Sequence, residues 1–165
     1  QIEGMSIGDT LLDFFDYKEL SKVEKYYYPG SKKFVGLYSD IFNQNLSEYD
    51  AIQFSVDPNT YIIEAIAGLN YKFKDRKIKC YTEMEKIFDE LKLDFPNSKI
   101  SKAKEGKHDA DKSGKSVAKV YKIYLTNGRI QVTCTDWAPQ TEKWDSLKIS
   151  LHTKRHIQWI NNEAY

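Results

Sequence analysis

The sequence predicts an α+β fold: a mostly antiparallel sheet of about five to six strands packed against one long helix, with short N-terminal and C-terminal helices. Three observations carry this. Residues 75–94 hold the one sustained helical period, with Ile78, Tyr81, Met84, Ile87, Phe88 and Leu91 recurring at intervals of three and four. Segments before and after it alternate apolar and polar side chains with the period of two that a half-buried strand requires. Tight-turn residues join these segments, which favours antiparallel neighbours over long crossovers. At 165 residues the chain reads as one domain, 1–165.

The elements follow in order. Ser6 with Asp9 three residues later resembles a capping box, and Ile7, Leu11, Leu12, Phe14 and Phe15 then suit a short amphipathic helix. Asp16 is placed to cap a second short helix over 17–24, ended by Tyr26-Tyr27-Tyr28-Pro29-Gly30. Residues 33–38 form a first strand. In 51–56, Ile52, Phe54 and Val56 share a face; Asp57-Pro58-Asn59-Thr60 supplies a turn, and 61–67 returns as the partner strand. The long helix comes next, stopped by Pro96. Residues 117–125 and 129–135 flank Asn127-Gly128, a pair suited to the two positive-φ positions of a type I′ turn. Leu147, Ile149 and Leu151 alternate with Lys148 and Ser150 in a last strand, and 153–161 suits a short terminal helix.

Composition narrows the function classes. With 41% hydrophobic and 30% charged residues the chain is not disordered. A net charge of +1 argues against nucleic acid as a partner. The charge is uneven: residues 99–122 carry eight lysines against Glu105, Asp109 and Asp111, a local net of +5. That excess reads first as a solvated loop and second as an anion-binding patch. No apolar run is long enough to span a membrane. Gln1 is not an initiator Met, as expected of a chain that begins after processing or was cut from a longer one.

Cys80 shares a helix face with Met84, Ile87 and Leu91, and Cys134 points with Ile130 and Val132. Both thiols therefore face the core. They are either two separate buried thiols or one disulfide, which implies an oxidising compartment. No C-x-x-C is present, so neither redox chemistry nor zinc is expected.

Polar groups concentrate in Lys107-His108-Asp109-Ala110-Asp111-Lys112-Ser113-Gly114-Lys115-Ser116, with no solvent-facing helix to account for them. Ser113-Gly114-Lys115-Ser116 looks like the end of a P-loop, but Asp109 stands where its first Gly is required, and the segment feeds a strand rather than a helix. Nucleotide hydrolysis is excluded; a simpler anion site of Lys112, Lys115, Ser113, Ser116 and backbone N–H groups is not. His108, Asp109 and Asp111 are too few for a defined metal site, so no metal and no cofactor are expected. Ser113 or Ser116 with His108 and an Asp is the nucleophilic alternative, without a G-x-S-x-G elbow. A third reading has Asp109 or Asp111 capping backbone N–H groups, with Gly114 permitting a bend. His152 and His156 lie four apart, but His152 is expected on a strand end, which breaks the pairing. Antiparallel pairing across Asn127-Gly128 places Asp136 and Trp137 near Ser116 and Lys115, making one surface. An exposed Trp beside polar groups can form a ligand platform, but Trp137 reads foremost as closing one end of the core; Trp144 lies in the next loop.

Residues 2–12, 108–116 and Cys134-Thr135-Asp136-Trp137 resemble segments of small exported proteins of marine alphaproteobacteria, and the likeness extends over most of the chain. It implies a periplasmic or secreted location and favours the Cys80–Cys134 disulfide. It implies no activity and no site residues. Gly4-Met5-Ser6 opening a short helix is similar to the start of small outer-membrane-assembly lipoprotein domains, from which the long helix and later strands depart.

The resulting expectation is a non-enzymatic exported domain that binds a partner protein or a small anionic ligand. Its contact residues are His108, Asp109, Asp111, Lys112, Ser113, Lys115, Ser116, Asp136 and Trp137. The competing expectation is a hydrolase using His108 with Asp109, Asp111 or Asp136.

Overall fold

Period-two and period-3.6 patterning resolve into nine strands and three α-helices in a computed structural model that describes residues 1–108 and 110–165. The strands are β1 (Lys25–Tyr28), β2 (Ser31–Leu37), β3 (Ala51–Val56), β4 (Ile63–Asn70), β5 (Lys99–Lys102), β6 (Gly106–Lys107), β7 (Val117–Leu125), β8 (Gly128–Asp136) and β9 (Ser146–Thr153). The helices are α1 (Tyr17–Leu20), α2 (Lys77–Asp94) and α3 (Lys154–Asn162). Strand order in the sheet is β1-β2-β3-β4-β9-β8-β7-β5, with β6 also on β7. The pairs β1–β2, β2–β3, β5–β7 and β6–β7 are antiparallel.

The class is α+β, with a larger sheet than expected. Three strands account for the difference. Tyr26 to Tyr28, read as the end of a helix, form most of β1, and Pro29-Gly30 is the turn that returns the chain as β2. Tyrosine is a strand former, and that preference prevails once a partner strand is present. Strands β5 and β6 lie in the lysine-rich segment read as a solvated loop. Pairing of β5 with β7 sets Lys99 opposite Tyr124 and Lys102 opposite Tyr121. Lysines on such a strand discourage edge-to-edge association, so their excess marks a protected strand.

By its contacts the chain divides into two compact units, with β4, β8 and β9 contributing residues to both. The first comprises residues 1–68, 127–129 and 150–165. Its core includes Leu11, Leu20, Val35, Leu37, Phe42, Phe54 and Ile63. Phe42 packs edge-on to Phe15 at 5.1 Å and to Phe54 at 5.0 Å. A second cluster joins Phe34, Trp159 and Ala164. Asp9 accepts the Ser6 N–H at 2.8 Å, as the capping pattern suggests, but the helix expected after it shrinks to a 3₁₀ turn, Leu11–Asp13. Asp16 caps α1 through the Lys18 N–H at 2.7 Å, and Thr153 caps α3 through the His156 N–H at 3.1 Å.

The second unit comprises residues 69–126 and 130–149. Helix α2 buries Cys80, Met84 and Phe88, a stripe at intervals of four. Ile78, expected in that stripe, is 73% exposed, because it falls in the first turn on the opposite side from Cys80. Phe88 meets the Tyr121 ring of β7 at 5.0 Å. Cys80 and Cys134 form a disulfide between α2 and β8.

The Asn127-Gly128 turn departs from expectation. Neither residue has a positive φ, so the turn is not type I′. Glycine at 128 meets a different demand: a Cβ there would lie 2.2 Å from the His152 carbonyl oxygen. The Asn127 carbonyl also accepts the Lys154 N–H at 3.0 Å.

Candidate binding site

Residues 108–116 connect β6 to β7, closed by the His108 N–H donating to the Ser116 carbonyl at 2.9 Å. Asp111 is the pivot. Its Oδ2 accepts the Ser116 hydroxyl at 2.7 Å, the Ser116 N–H at 2.9 Å and the Ser113 hydroxyl at 2.9 Å. Its Oδ1 accepts the Ser113 N–H at 2.9 Å. The Ser116 hydroxyl, then the Ser116 N–H and the Ser113 hydroxyl, hold the Asp111 carboxyl well below the usual carboxylate range. Gly114 takes φ +67°, which permits the bend. The capping role weighed for Asp111 is thus the one it has; Asp109 lies outside the described residues.

The loop joins the end of β8 as antiparallel pairing implied. Fully buried Ser116 accepts the Ala138 N–H on its Oγ at 2.9 Å, so this hydroxyl is satisfied on both sides. The His108 and Trp137 rings lie 4.2 Å apart, and Gln140 donates to the Ser113 hydroxyl at 2.9 Å. His108, Asp111, Ser113, Ser116 and Trp137 therefore form one cluster. Asp136 turns elsewhere, to Lys77 at 3.3 Å, and Lys77 also reaches Glu105 at 3.4 Å. Lys112 and Lys115 are exposed. The Nδ1 of His108 accepts the Ala110 N–H at 3.2 Å, and both serine hydroxyls donate to Asp111. The groups drafted for a nucleophilic mechanism are thereby engaged in holding the loop.

Beside Trp137 lies a groove of about 250 Å³, lined by Lys74, Asp75, Trp137, Pro139, Glu142, Lys143, Trp144 and Asp145. Asp145 pins its two walls: Oδ1 accepts the Trp137 N–H at 2.6 Å and Oδ2 the Asp75 N–H at 3.0 Å. Lys143 places its ammonium 4.3 Å from the Trp137 ring centre. Trp144 is 60% exposed and meets the Tyr71 ring edge-on at 5.4 Å. Asp75 and Glu142 have φ of +56° and +55°, left-handed backbone that costs free energy in non-glycine residues. Only the two tryptophans signalled this groove in the sequence; the charged lining comes from two segments that are distant along the chain.

Two further polar clusters escaped the sequence. Glu85 on α2 accepts Lys102 at 2.7 Å, Lys119 at 3.3 Å and the Tyr121 hydroxyl. The Lys102 and Tyr121 hydrogen bonds hold its carboxyl down to about 2. In the first unit, His152 lies on β9, yet its Nδ1 comes within 3.3 Å of Nδ1 of His156 on α3, correcting the expectation that the strand position separates them. The turn from β9 directly into α3 folds one ring toward the other. His152 also contacts the Ser150 hydroxyl at 2.9 Å, and His156 the Ser55 hydroxyl at 3.0 Å. Nearby, buried Glu64 accepts Thr153 at 2.6 Å and Arg155 at 3.0 Å.

Among the described residues, no three His, Cys, Asp or Glu side chains are grouped to hold a metal ion. No described helix is long and apolar enough to cross a membrane. The chain matches no protein-family model, no curated protein and no solved structure.

Proposed function

We propose that the protein is a non-enzymatic, exported binding module that takes a partner or a small anionic ligand where the 108–116 loop joins the Trp137 end of β8. The observation that carries this reading is the Ser116 junction, where one buried hydroxyl ties the Asp111 pivot to the Ala138 backbone. These hydrogen bonds brace the loop backbone that carries the exposed Lys112 and Lys115, which lowers the ordering cost of binding. The negative charge of Asp111 is engaged inside the loop by four donors. Lys112 and Lys115 stand exposed on either side of Ser113 and Gly114. The engagement of Ser113 and Ser116 with Asp111, rather than with an imidazole, supports binding over hydrolysis. The disulfide supports the periplasm or the extracellular space as the location.

Calorimetric titration with phosphate, sulfate and citrate tests the anion assignment. Uptake by the native protein should weaken about tenfold or more in the Lys112→Glu/Lys115→Glu double variant. A native protein that takes up none of these anions, or a double variant that binds equally well, overturns it.

A further inference from the structure

We infer that the groove between Trp137 and Trp144 binds a saccharide, with one sugar ring seated on Trp144. This goes beyond the binding-module reading, at a groove that shares Trp137 with the 108–116 site but neither of its exposed lysines. Three features select the ligand class. The first is aromatic surface: Trp144 is exposed at 60%, whereas an indole that served only to close a core would be covered. The second is a polar rim, since Lys74, Asp75, Glu142 and Lys143 line the same space. The third is a preformed shape, because the Asp145 carboxylate ties the Trp137 wall to the Asp75 wall through two backbone N–H groups.

Elimination then narrows the occupant. A wholly apolar ligand would strip water from four charged side chains and return no hydrogen bonds. An organic cation would meet the Lys143 ammonium already seated 4.3 Å from the Trp137 ring centre. A polyphosphate would face the carboxylates of Asp75, Glu142 and Asp145. What remains is a polar molecule of low charge with one apolar face. A pyranose has that character: its axial C–H groups pack on an indole while its equatorial hydroxyls reach sideways. Asp75 and Glu142 accept from those hydroxyls, and Lys74 and Lys143 donate to them. A ring carboxylate, if the sugar is a uronate, finds the same two ammonium groups.

The test uses the intact, disulfide-bonded chain, read by intrinsic tryptophan fluorescence and calorimetry. The probes are neutral oligosaccharides (cellopentaose, mannopentaose) and a uronate oligosaccharide (tetragalacturonate). At least one set should give saturable binding. Trp144→Ala should weaken it about tenfold or more, and Trp144→Tyr should restore most of it. Asp75→Asn/Glu142→Gln should weaken both arms. Lys74→Ala/Lys143→Ala should weaken the uronate arm more than the neutral one if the carboxylate is part of recognition. Unchanged melting of Trp144→Ala separates lost binding from lost folding. The inference is overturned if neither set binds, or if Trp144→Ala binds as well as the native protein. Anion binding that depends on Lys112 and Lys115 while both sugar sets fail would leave the binding module standing and remove only the saccharide.

Discussion

His156 is 4% exposed, with Nε2 on the Ser55 hydroxyl at 3.0 Å and Nδ1 facing His152 at 3.3 Å. Burial, and then the positive charge of Arg129, push its pKa from 6.5 down to about 4. In the unfolded chain the same imidazole takes up a proton near 6.5. Above that pH it is neutral in both states and the shift has no effect on stability. As pH falls from 6.5 toward 4 the unfolded state binds the proton first, and stability drops by up to about 3 kcal/mol from this residue alone. Urea midpoints should therefore fall between pH 7.5 and pH 4.5, and His156→Gln should flatten much of that slope. An identical slope in the variant would assign the acid sensitivity to other groups. Glu3 shifts in the same direction for the opposite reason: its charged form is favoured, so this contribution too is lost as pH falls. Burial raises its carboxyl, but the N–H groups of Glu48 and Ser47 outweigh this and lower it, anchoring the N-terminal segment to residues 47–49.

At the scale of elements, the turns carry the instructive outcome. Asn-Gly at 127–128 marks a hairpin, and β7 and β8 are neighbours on either side of it. Its glycine is required by close approach of the His152 carbonyl, which no local rule encodes. Gly128→Ala should destabilise by about 1–3 kcal/mol through overpacking, visible as a lower melting temperature. A variant that melts like the native protein would mean that the β9 backbone moves aside at no cost. The same contrast separates the strands. Segments β3, β7 and β9 were legible because their alternation is internal to the segment. β1, β5 and β6 were not: a run of tyrosines beside Pro-Gly and a run of lysines become strands only once β2 and β7 supply hydrogen-bond partners. Lys102 shows how a charged residue of β5 is held against α2 and β7. Its ammonium binds Glu85 at 2.7 Å and lies 4.8 Å from the Tyr121 ring centre. Glu85 is 40% exposed, so this ion pair itself contributes at most about 1 kcal/mol.

For the molecule as a whole, the disulfide is the covalent constraint, closing a loop between positions 54 residues apart. Cys80→Ser/Cys134→Ser should lower stability by about 2–4 kcal/mol, and reductant should do the same to the native protein. Calorimetry with and without dithiothreitol checks this, and equal melting under both conditions would show that the bond adds nothing.

Local chemistry decided much of this protein. The α+β class, the span of α2, the inward faces of Cys80 and Cys134, the Asp16 cap and the approach of Ser116 to the Trp137 end of β8 all follow from period, capping groups and hairpin pairing. These depend on residues near one another in the chain, or opposite one another across a turn. Tertiary structure decided which tyrosine and lysine runs became strands, that His152 and His156 meet, that Asp136 turns to Lys77, and that residues 74–75 and 142–145 wall one groove beside Trp137. Each of these requires a partner from a distant segment, and period and spacing along the chain do not say which segment will arrive.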